Sequence, residues 1–330
     1  MMNALYVLDP SSYDRIYGAA ERADIASLVT VDSTARSRAD LEAHPGMLSG
    51  VEVIMSGWGC PRFDDALLAR APRLKAVFYG AGSIRHVVTD AFWERGIVIS
   101  SAFAANAVPV AEFTLSQILF CLKRGWQLAL GIKRDGAYPS DKRMPGAYES
   151  VVGIISLGMV GRRVCELLRP FDLRVIAYDP FAAEETARML GAGLCGLDEL
   201  FRTADVVSLH TPWLKETEGM ITGAHFAAMK RDAAFINTAR GAVVREDEMI
   251  AVLRARPDIQ AVLDVTHPEP PDPGSPLYSL PNVVLTPHIA GSMEGECRRM
   301  GRYMVDELRR FVTGEPLKWQ ITRERAALLA

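Results

Sequence analysis

The chain has 330 residues, of which 49% are hydrophobic and 23% charged, so we expect packed cores and two domains rather than one. The formal net charge of −3 gives no reason to expect nucleic acid or an anionic membrane as a partner. No apolar run reaches the roughly 18 residues that span a bilayer, and no basic signal-peptide segment opens the chain. Five widely spaced cysteines without a C-x-x-C pair disfavour disulfides and zinc, and fit a reducing cytoplasm.

Short apolar runs alternate with helical patterns through the first hundred residues. The strands predicted there are 4–8, 27–31, 51–55, 74–79 and 96–100, with a helix at 64–71. This alternation predicts a parallel sheet with crossover helices. Residues 106–130 have apolar positions spaced by three and four and predict one long, largely buried helix. Residues 131–149, rich in Gly, Pro and charge, predict an irregular arm.

A second alternating series begins at Val151. Its predicted strands are 151–156, 173–178, 205–210, 233–237, 260–265 and 282–286, and a final helical pattern over 291–315 ends at Gly314. The layout is that of two similar α/β units, the second inserted between the first unit and its closing helix. We therefore predict an α/β protein with two Rossmann-like, doubly wound parallel-sheet domains and an interdomain cleft.

The stretch "VVGIISLGMVGRR" is typical of a buried strand, a glycine turn and a helix. A dinucleotide-binding turn has three glycines, G-x-G-x-x-G; here Ser156 replaces the first, and Gly158 and Gly161 keep the second and third. The pyrophosphate would then lie at the helix N-terminus, where free N–H groups and the helix dipole favour anions. Two glycines alone do not distinguish a cofactor site from a structural turn.

Asp179 ends the next predicted strand, about 20 residues after Gly158, where an acid that binds a ribose hydroxyl is expected. In "DPF" it also fits a helix N-cap followed by an N1 proline, and both readings can hold. An acid here repels a 2′-phosphate, and no arginine follows closely, so NAD is favoured over NADP.

Three later motifs place polar side chains after strands of one predicted parallel sheet. They are "FINTARGAVV" with Arg240, "AVLDVTHPEPP" with Asp264 and Glu269, and "VVLTPHIAGS" with His288. Ligands of open α/β sheets bind beyond the carboxyl ends of the strands, so these side chains are expected in one crevice.

Three longer stretches add to these motifs: "VAEFTLSQILFCLKR", "DVVSLHTPWLKETEGMI" and "MKRDAAFINTARGAVV". On all of them together, the chain resembles the D-isomer-specific 2-hydroxyacid dehydrogenase family. The resemblance covers nearly the whole chain, most strongly residues 103–292. The departures are Ser156, the loop "GAGSIRHV" where the family often has Gly-x-Asp, and Tyr138 in place of a Trp often found in the arm.

The resemblance implies an NAD-dependent enzyme that interconverts a D-2-hydroxy acid and its 2-keto acid. Residues 1–104 plus 289–330 would form a flavodoxin-like substrate domain, and residues 105–288 the NAD-binding Rossmann domain. Hinges near 102–105 and 288–292 would let the cleft close. The segment 106–149 resembles the family's dimer contact, so a homodimer is expected.

The same resemblance implies the catalytic set Arg240, Glu269 and His288. Hydride transfer at an alcohol carbon requires a group that takes or gives the hydroxyl proton, and histidine titrates near neutral pH. Glu269 would hold the His288 ring in orientation, and the Arg240 guanidinium would bind the substrate carboxylate and polarise the carbonyl. Taken alone, each residue also fits a purely structural role. Arg240 fits a surface ion pair, Glu269 a turn residue and His288 a helix cap.

Cofactor and substrate contacts are carried over residue by residue. For the cofactor, Met159 and Val160 would offer N–H groups to the pyrophosphate, Asp179 would bind the ribose, and Asp264 would hold the nicotinamide carboxamide. The remaining predicted cofactor contacts are Ser156, Gly158, Gly161, His210, Thr211, Pro212, Thr238 and Ala239. The predicted substrate contacts are Arg240, the loop residues Gly80, Ala81 and Gly82, and Trp58, which fits a pocket wall and a core position equally well. His267 is interpreted as a loop residue at the rim of the active site. No cluster of His, Cys, Asp or Glu has the spacing of metal ligands, so no metal is predicted.

Alternatives within and beyond the family stay open. Formate dehydrogenases have glutamine where Glu269 stands and are disfavoured, whereas a phosphite dehydrogenase keeps the Arg-Glu-His set. Phosphoglycerate dehydrogenase fits as well, although no regulatory domain is appended and no phosphate-binding cluster is visible in the substrate loops. A dinucleotide-sensing binding protein of the same fold is the alternative outside enzymes.

Overall fold

A computed structural model of the chain describes residues 1–140 and 143–327. Residues 141–142 of the predicted arm and 328–330 of the predicted C-terminal segment lie outside the described residues. Two compact units divide the chain: Met1–Asn106 with Ser292–Ala330 (unit 1), and Ala107–Gly291 (unit 2). The predicted domain boundaries, 104/105 and 288/289, stand two and three residues before these.

In the described part of the chain, eleven strands follow the predicted alternation, and two short edge strands, Ala192–Leu194 and Gln320–Ile321, were not predicted. In chain order, the strands are β1 Asn3–Val7, β2 Thr30–Arg36, β3 Val53–Ser56, β4 Ala76–Tyr79, β5 Val98–Ser101, β6 Val151–Ile155, β7 Arg174–Tyr178, β8 Ala192–Leu194, β9 Val206–Leu209, β10 Ala234–Asn237, β11 Gln260–Leu263, β12 Val283–Leu285 and β13 Gln320–Ile321. The helices are α1 Pro10–Ile16, α2 Ala19–Leu28, α3 Arg38–Ala43, α4 Asp65–Arg70, α5 Asp90–Glu94, α6 Phe103–Leu122, α7 Gly125–Asp135, α8 Met159–Leu168, α9 Glu184–Met189, α10 Leu197–Thr203, α11 Gly223–Ala228, α12 Glu246–Ala255, α13 Cys297–Thr313 and α14 Arg323–Ala326.

Unit 1 contains a six-stranded sheet in the order β13-β5-β4-β3-β1-β2. All pairs are parallel except β13 with β5. Successive residues of β1 and β3 enter two different cores, so both faces of the sheet are covered. The chain order reverses between β1 and β3, which makes that gap the topological switch point of unit 1.

Unit 2 contains a seven-stranded, wholly parallel sheet in the order β12-β11-β10-β9-β6-β7-β8. Its strands also alternate between two cores: Phe235 packs on one face and Ile236 on the other. The order reverses between β6 and β9, so a ligand of this unit is expected beyond the carboxyl ends of these strands. Two doubly wound parallel sheets confirm the predicted fold class.

The prediction of one helix over 106–130 is wrong at both ends. Helix α6 begins at Phe103 and ends at Leu122, and Arg124 then adopts a left-handed φ of 49° before α7 begins. No residue of α7 is buried, so its apolar spacing does not mark a core helix. Among the described residues, α6 is the one helix long and apolar enough to cross a membrane, and 56% of its apolar window is buried inside the protein. A buried core helix passes the same test.

The predicted strand at 27–31 is also misplaced. Residues up to Leu28 belong to α2, and the strand begins at Thr30. The run "SLVTV" therefore combines the end of a helix, with Val29 buried at its C-cap, and the start of an edge strand that has no buried residue. A short apolar run does not by itself separate these two cases.

Candidate active site

The glycine turn of unit 2 joins β6 to α8, next to the switch point. Ser156 adopts a left-handed φ of 78°, which is costly for a residue with a Cβ, and its N–H donates to the Tyr178 carbonyl at 2.8 Å. A Cβ on Gly161 would lie 2.0 Å from the Ser156 carbonyl oxygen, so close packing of helix on turn requires this glycine. At Gly158, the N-cap of α8, a Cβ would meet no atom within 4 Å. No contact or positive φ requires a glycine at Gly158, so the position is free for the close approach of a ligand.

We expect Ser156→Gly to raise the free energy of unfolding by about 1 kcal/mol, because glycine removes the cost of the left-handed backbone. The strain is present before any ligand binds, so the Kd for NADH should stay the same. Urea unfolding and NADH titration measure the two quantities. Gly158→Ala is the matched control. It should leave the free energy of unfolding unchanged and raise the Kd for NADH. A tighter Kd in Ser156→Gly would mean that the serine costs affinity.

Asp179 does not cap a helix as the sequence suggested, because the next helix, α9, begins at Glu184 with Ala183 as its N-cap; it caps a turn instead. One carboxylate oxygen accepts hydrogen bonds from the backbone N–H groups of Phe181 and Ala182, and the other accepts from Leu157 in the glycine turn at 2.7 Å. The carboxylate thus caps the turn after β7 and is hydrogen-bonded to the turn after β6. It remains half-buried, and a carboxylate has about four acceptor positions, so one is left for a ribose hydroxyl.

Arg240 lies in the turn that follows β10. The Asn237 side chain closes this turn: its Oδ1 accepts from the Ala239 N–H, and its Nδ2 donates to the Arg240 carbonyl. The guanidinium donates to the Ala239 carbonyl and forms no ion pair with a carboxylate of the described residues. Burial lowers the pKa of Arg240, and the negative charge of Glu269 acts in the opposite direction. Arginine remains charged in proteins, so the site holds a partly buried cation without an anion paired to it.

Glu269 and His288 are brought into direct contact. The Nδ1 atom of His288 lies 2.5 Å from Oε1 of Glu269, and the two side chains are 48% and 41% exposed. With Nδ1 engaged by the carboxylate, Nε2 is the ring atom left to exchange a proton with a ligand. His288 has a left-handed φ of 54°, so its ring is presented from a strained loop.

Asp264 holds that loop. Its carboxylate is 2% exposed and accepts from Thr286 Oγ1 at 2.6 Å and from the N–H groups of Ile289 and Ala290, each at 2.9 Å. Its carbonyl accepts the His288 N–H at 3.0 Å. These bonds bracket His288 on both sides and stabilise its left-handed backbone. Oδ2 accepts only one of them, which leaves a position for the amide group of a nicotinamide.

Other predicted cofactor residues surround the same sheet edge. His210 follows β9, and its N–H donates to the Ile155 carbonyl of β6 across the switch point. Burial lowers the pKa of His210 to about 3, so the ring is neutral. Its Nδ1 is buried and has no hydrogen-bond partner among the described residues, whereas its Nε2 lies 2.9 Å from the Ser208 hydroxyl. Thr238 is buried with its hydroxyl 3.1 Å from that of Thr114, and the Ala239 N–H is already bonded to Asn237.

The predicted substrate residues of unit 1 need one correction. The Gly80 N–H donates to the Ser56 carbonyl at 2.8 Å, and a Cβ there would meet Ile16 at 2.7 Å, so this glycine serves packing and cannot offer its N–H to substrate. Ala81 and Gly82 donate to no described residue, and Ser101 Oγ holds both of their carbonyls. Trp58 is half-buried and packs against both cores of unit 1. His267 is exposed, with its ring against Trp213.

Positioning residues were missed from the sequence. Asn237, Thr286 and Thr114 touch predicted site residues. They lie within the quoted motifs, but none carries a charge, and none was singled out. The one available signal was Asn237, a polar residue at the end of a buried strand. The parallel sheet, the open glycine turn and the unpaired Nδ1 of His210 at the switch point are the features of a dinucleotide-binding domain in unit 2.

Comparison with known proteins gives the family. Residues 116–290 match the D-isomer specific 2-hydroxyacid dehydrogenase, NAD binding domain. The D-3-phosphoglycerate dehydrogenase of Archaeoglobus fulgidus is 31% identical over 78% of this chain and 49% of its own length. The glyoxylate reductase of Aeropyrum pernix is 30% identical over 80% of this chain and 81% of its own. The structure of D-lactate dehydrogenase from Aquifex aeolicus, complexed with NAD and lactic acid, has a TM-score of 0.72 at 25% identity and covers 95% of this chain and 96% of that one.

This chain belongs to the D-isomer specific 2-hydroxyacid dehydrogenase family, and its unit 2 carries the NAD-binding domain. NAD is therefore its cofactor, in agreement with the prediction. The chain spans about half the length of the phosphoglycerate dehydrogenase that it matches.

Proposed function

We propose that the protein is an NAD-dependent oxidoreductase that interconverts a D-2-hydroxy acid and its 2-keto acid. The observation that carries this proposal is the Glu269–His288 pair, 2.5 Å apart, in the same unit as a partly buried Arg240 without an anion partner. A proton donor and a cation for a carboxylate are the two groups that reduction of a 2-keto acid requires.

Each residue has a separate task in this proposal. NAD(H), when bound, supplies the hydride chemistry. Met159 and Val160 at the start of α8 would hold the pyrophosphate, Asp179 the ribose, and Asp264 the carboxamide. These assignments complete the cofactor side of the site.

On the substrate side, Arg240 binds the carboxylate and draws charge towards the carbonyl oxygen. In reduction, Nε2 of His288 gives its proton to that oxygen, and Glu269 holds the Nδ1–H of the resulting neutral ring. In oxidation, the same nitrogen takes the proton back. We further propose that unit 1 binds substrate through the N–H groups of Ala81 and Gly82.

The test is purified protein with NADH and a panel of 2-keto acids, followed by loss of NADH absorbance and chiral analysis of the product. The expected result is turnover to the D-hydroxy acid. A dinucleotide-sensing binding protein would bind NADH without turnover of any member. A phosphite dehydrogenase would reduce NAD with phosphite and leave the keto acids unchanged.

Removing the charge at Asp179 is expected to reduce the preference for NAD over NADP by about tenfold, because repulsion of a 2′-phosphate is lost. Asp179→Asn keeps an acceptor for Phe181 and Ala182, whereas Asp179→Ala also loses these turn contacts. The ratio of kcat/KM for NADH and NADPH measures the effect in both variants. The ribose role is refuted by unchanged discrimination in the asparagine variant.

We also propose a homodimer in the cytoplasm. The segment 106–149 carries large apolar side chains with substantial exposure, as a surface covered by a partner would; they are Phe120, Leu130, Tyr138, Met144 and Tyr148.

All five cysteines are free thiols, which suits the reducing environment of the cytoplasm.

A further inference from the structure

The loop that carries Glu269 is held by a side chain from the first turn of helix α12. The Oε2 atom of Glu246 accepts a hydrogen bond from the backbone N–H of His267 at 3.0 Å, two residues before Glu269, and all three residues belong to unit 2. The bond goes to the main chain, so it fixes the course of the loop whatever side chain stands at position 267. Glu246 therefore takes part in deciding where the backbone of Glu269 lies.

The same segment of main chain packs on the turn that carries Arg240. A Cβ on Gly241 would lie 2.0 Å from the carbonyl carbon of Thr266 and 2.6 Å from the backbone nitrogen of His267. The two main chains are therefore in direct contact, with no room for a side chain between them. The backbone just before Glu269 is fixed twice, by this packing and by the hydrogen bond to α12.

Beyond Glu269 the loop is held less firmly. The Tyr278 hydroxyl donates to the Pro271 carbonyl at 3.2 Å, and the Tyr278 side chain is 58% exposed. Glu269 is itself exposed, so packing does not hold its side chain in place. Glu246 is half-buried and makes the shorter hydrogen bond, so it is the stronger of the two side-chain contacts with this loop.

Capping of its own helix does not account for Glu246. Three acids, Glu246, Asp247 and Glu248, lie in the first turn of α12, and each of them complements the helix dipole. Burial raises the pKa of Glu246, the charge of Asp247 adds to this effect, and the hydrogen bond from His267 acts in the opposite direction. A carboxylate at this position loses hydration, and the bond to the Glu269 loop is the contact that offsets the loss.

We propose that Glu246 is a positioning residue, which holds the Glu269 loop so that the Glu269 carboxylate stays against Nδ1 of His288. This inference rests on the proposed function. Glu246 acts through Glu269, whose Oε1 lies 2.5 Å from the His288 ring. If the loop is released, the pair is aligned for proton transfer in a smaller fraction of the molecules, and a displacement of about 1 Å can lower a rate by roughly 100-fold.

The first test is Glu246→Ala, assayed with NADH and the keto acid that the wild type reduces best. We expect kcat to fall about 10- to 100-fold. The KM for the keto acid and the Kd for NADH should stay the same, because neither the carboxylate anchor nor the cofactor contacts involve Glu246. Glu246→Gln should restore kcat, since its amide oxygen still accepts the His267 N–H.

Glu248→Ala is the matched control. Glu248 lies in the same turn of α12 and accepts the backbone N–H of Gly223, in a different loop, at 2.7 Å. Its removal therefore costs a hydrogen bond of the same kind, and it should leave kcat unchanged. Wild-type kcat in Glu246→Ala, or an equal loss of kcat in Glu248→Ala, would overturn the inference.

A double-mutant cycle separates positioning from a loss of folded protein. In Glu269→Ala the carboxylate is absent, so the further change Glu246→Ala should lower kcat by little or nothing. A folding defect would instead lower kcat by the same factor with and without Glu269, and that result also overturns the inference. A wild type that reduces no keto acid would overturn the proposed function and this inference with it, whereas the other outcomes leave the proposed function standing.

Discussion

His288→Gln is expected to lower kcat for keto-acid reduction by about 10²- to 10⁴-fold, the contribution of a positioned proton donor. NADH binding should remain intact, because the side chain takes no part in holding the dinucleotide in the proposed site. Stopped-flow single turnover and NADH titration separate the two effects. A variant with near-normal turnover would refute the assignment of His288.

Backbone strain at His288 calls for a second variant. The φ of 54° suits asparagine better than glutamine, so His288→Asn removes the ring with the smaller risk to the loop that Asp264 holds. Both variants should lose turnover alike. The matched control is His267→Gln, an exposed histidine of the same unit whose ring packs on Trp213, and it should retain the wild-type rate.

Arg240→Met is expected to lower kcat/KM for 2-keto acids by about 10²- to 10³-fold, because both the carboxylate anchor and the group that polarises the carbonyl are lost. Arg240→Lys should recover only part, since an ammonium cannot form the two parallel hydrogen bonds of a guanidinium. Steady-state kinetics with a 2-keto acid and NADH measure the loss. Equal kcat/KM in wild type and Arg240→Met would exclude substrate binding by this residue.

Thermal unfolding gives an independent readout for the same substitution. A partly buried cation without an anion partner lowers the stability of the folded state. We therefore expect the melting temperature of Arg240→Met to equal or exceed that of the wild type. Loss of activity together with retained stability identifies a residue kept for function. The exposed Arg231, which neighbours Asp232, provides the control Arg231→Met with little effect on either quantity.

Much of the fold and part of the site could be read from local patterns. Buried parallel strands are short, apolar and regularly spaced, so most of them were located to within one to three residues. Because the carboxyl ends of parallel strands share one edge, the motifs with Arg240, Glu269 and His288 could be expected together, and the hydrogen bond between Glu269 and His288 is present. Edge strand β2 was misplaced because it has no buried residue to mark it, and α7 was merged with α6 because its apolar spacing continues that of α6 although none of its residues is buried.

The sequence by itself determined the class of fold, the family and the chemistry-bearing residues, since each depends on residue types at short spacing. Only the tertiary structure decided what those residues contact. Asp264 proved to hold the His288 loop, and the Gly80 N–H proved to be bonded to the Ser56 carbonyl. The physical reason is that hydrogen bonds and clefts join residues distant in the chain, and their partners are set by how the sheet is ordered rather than by any local pattern.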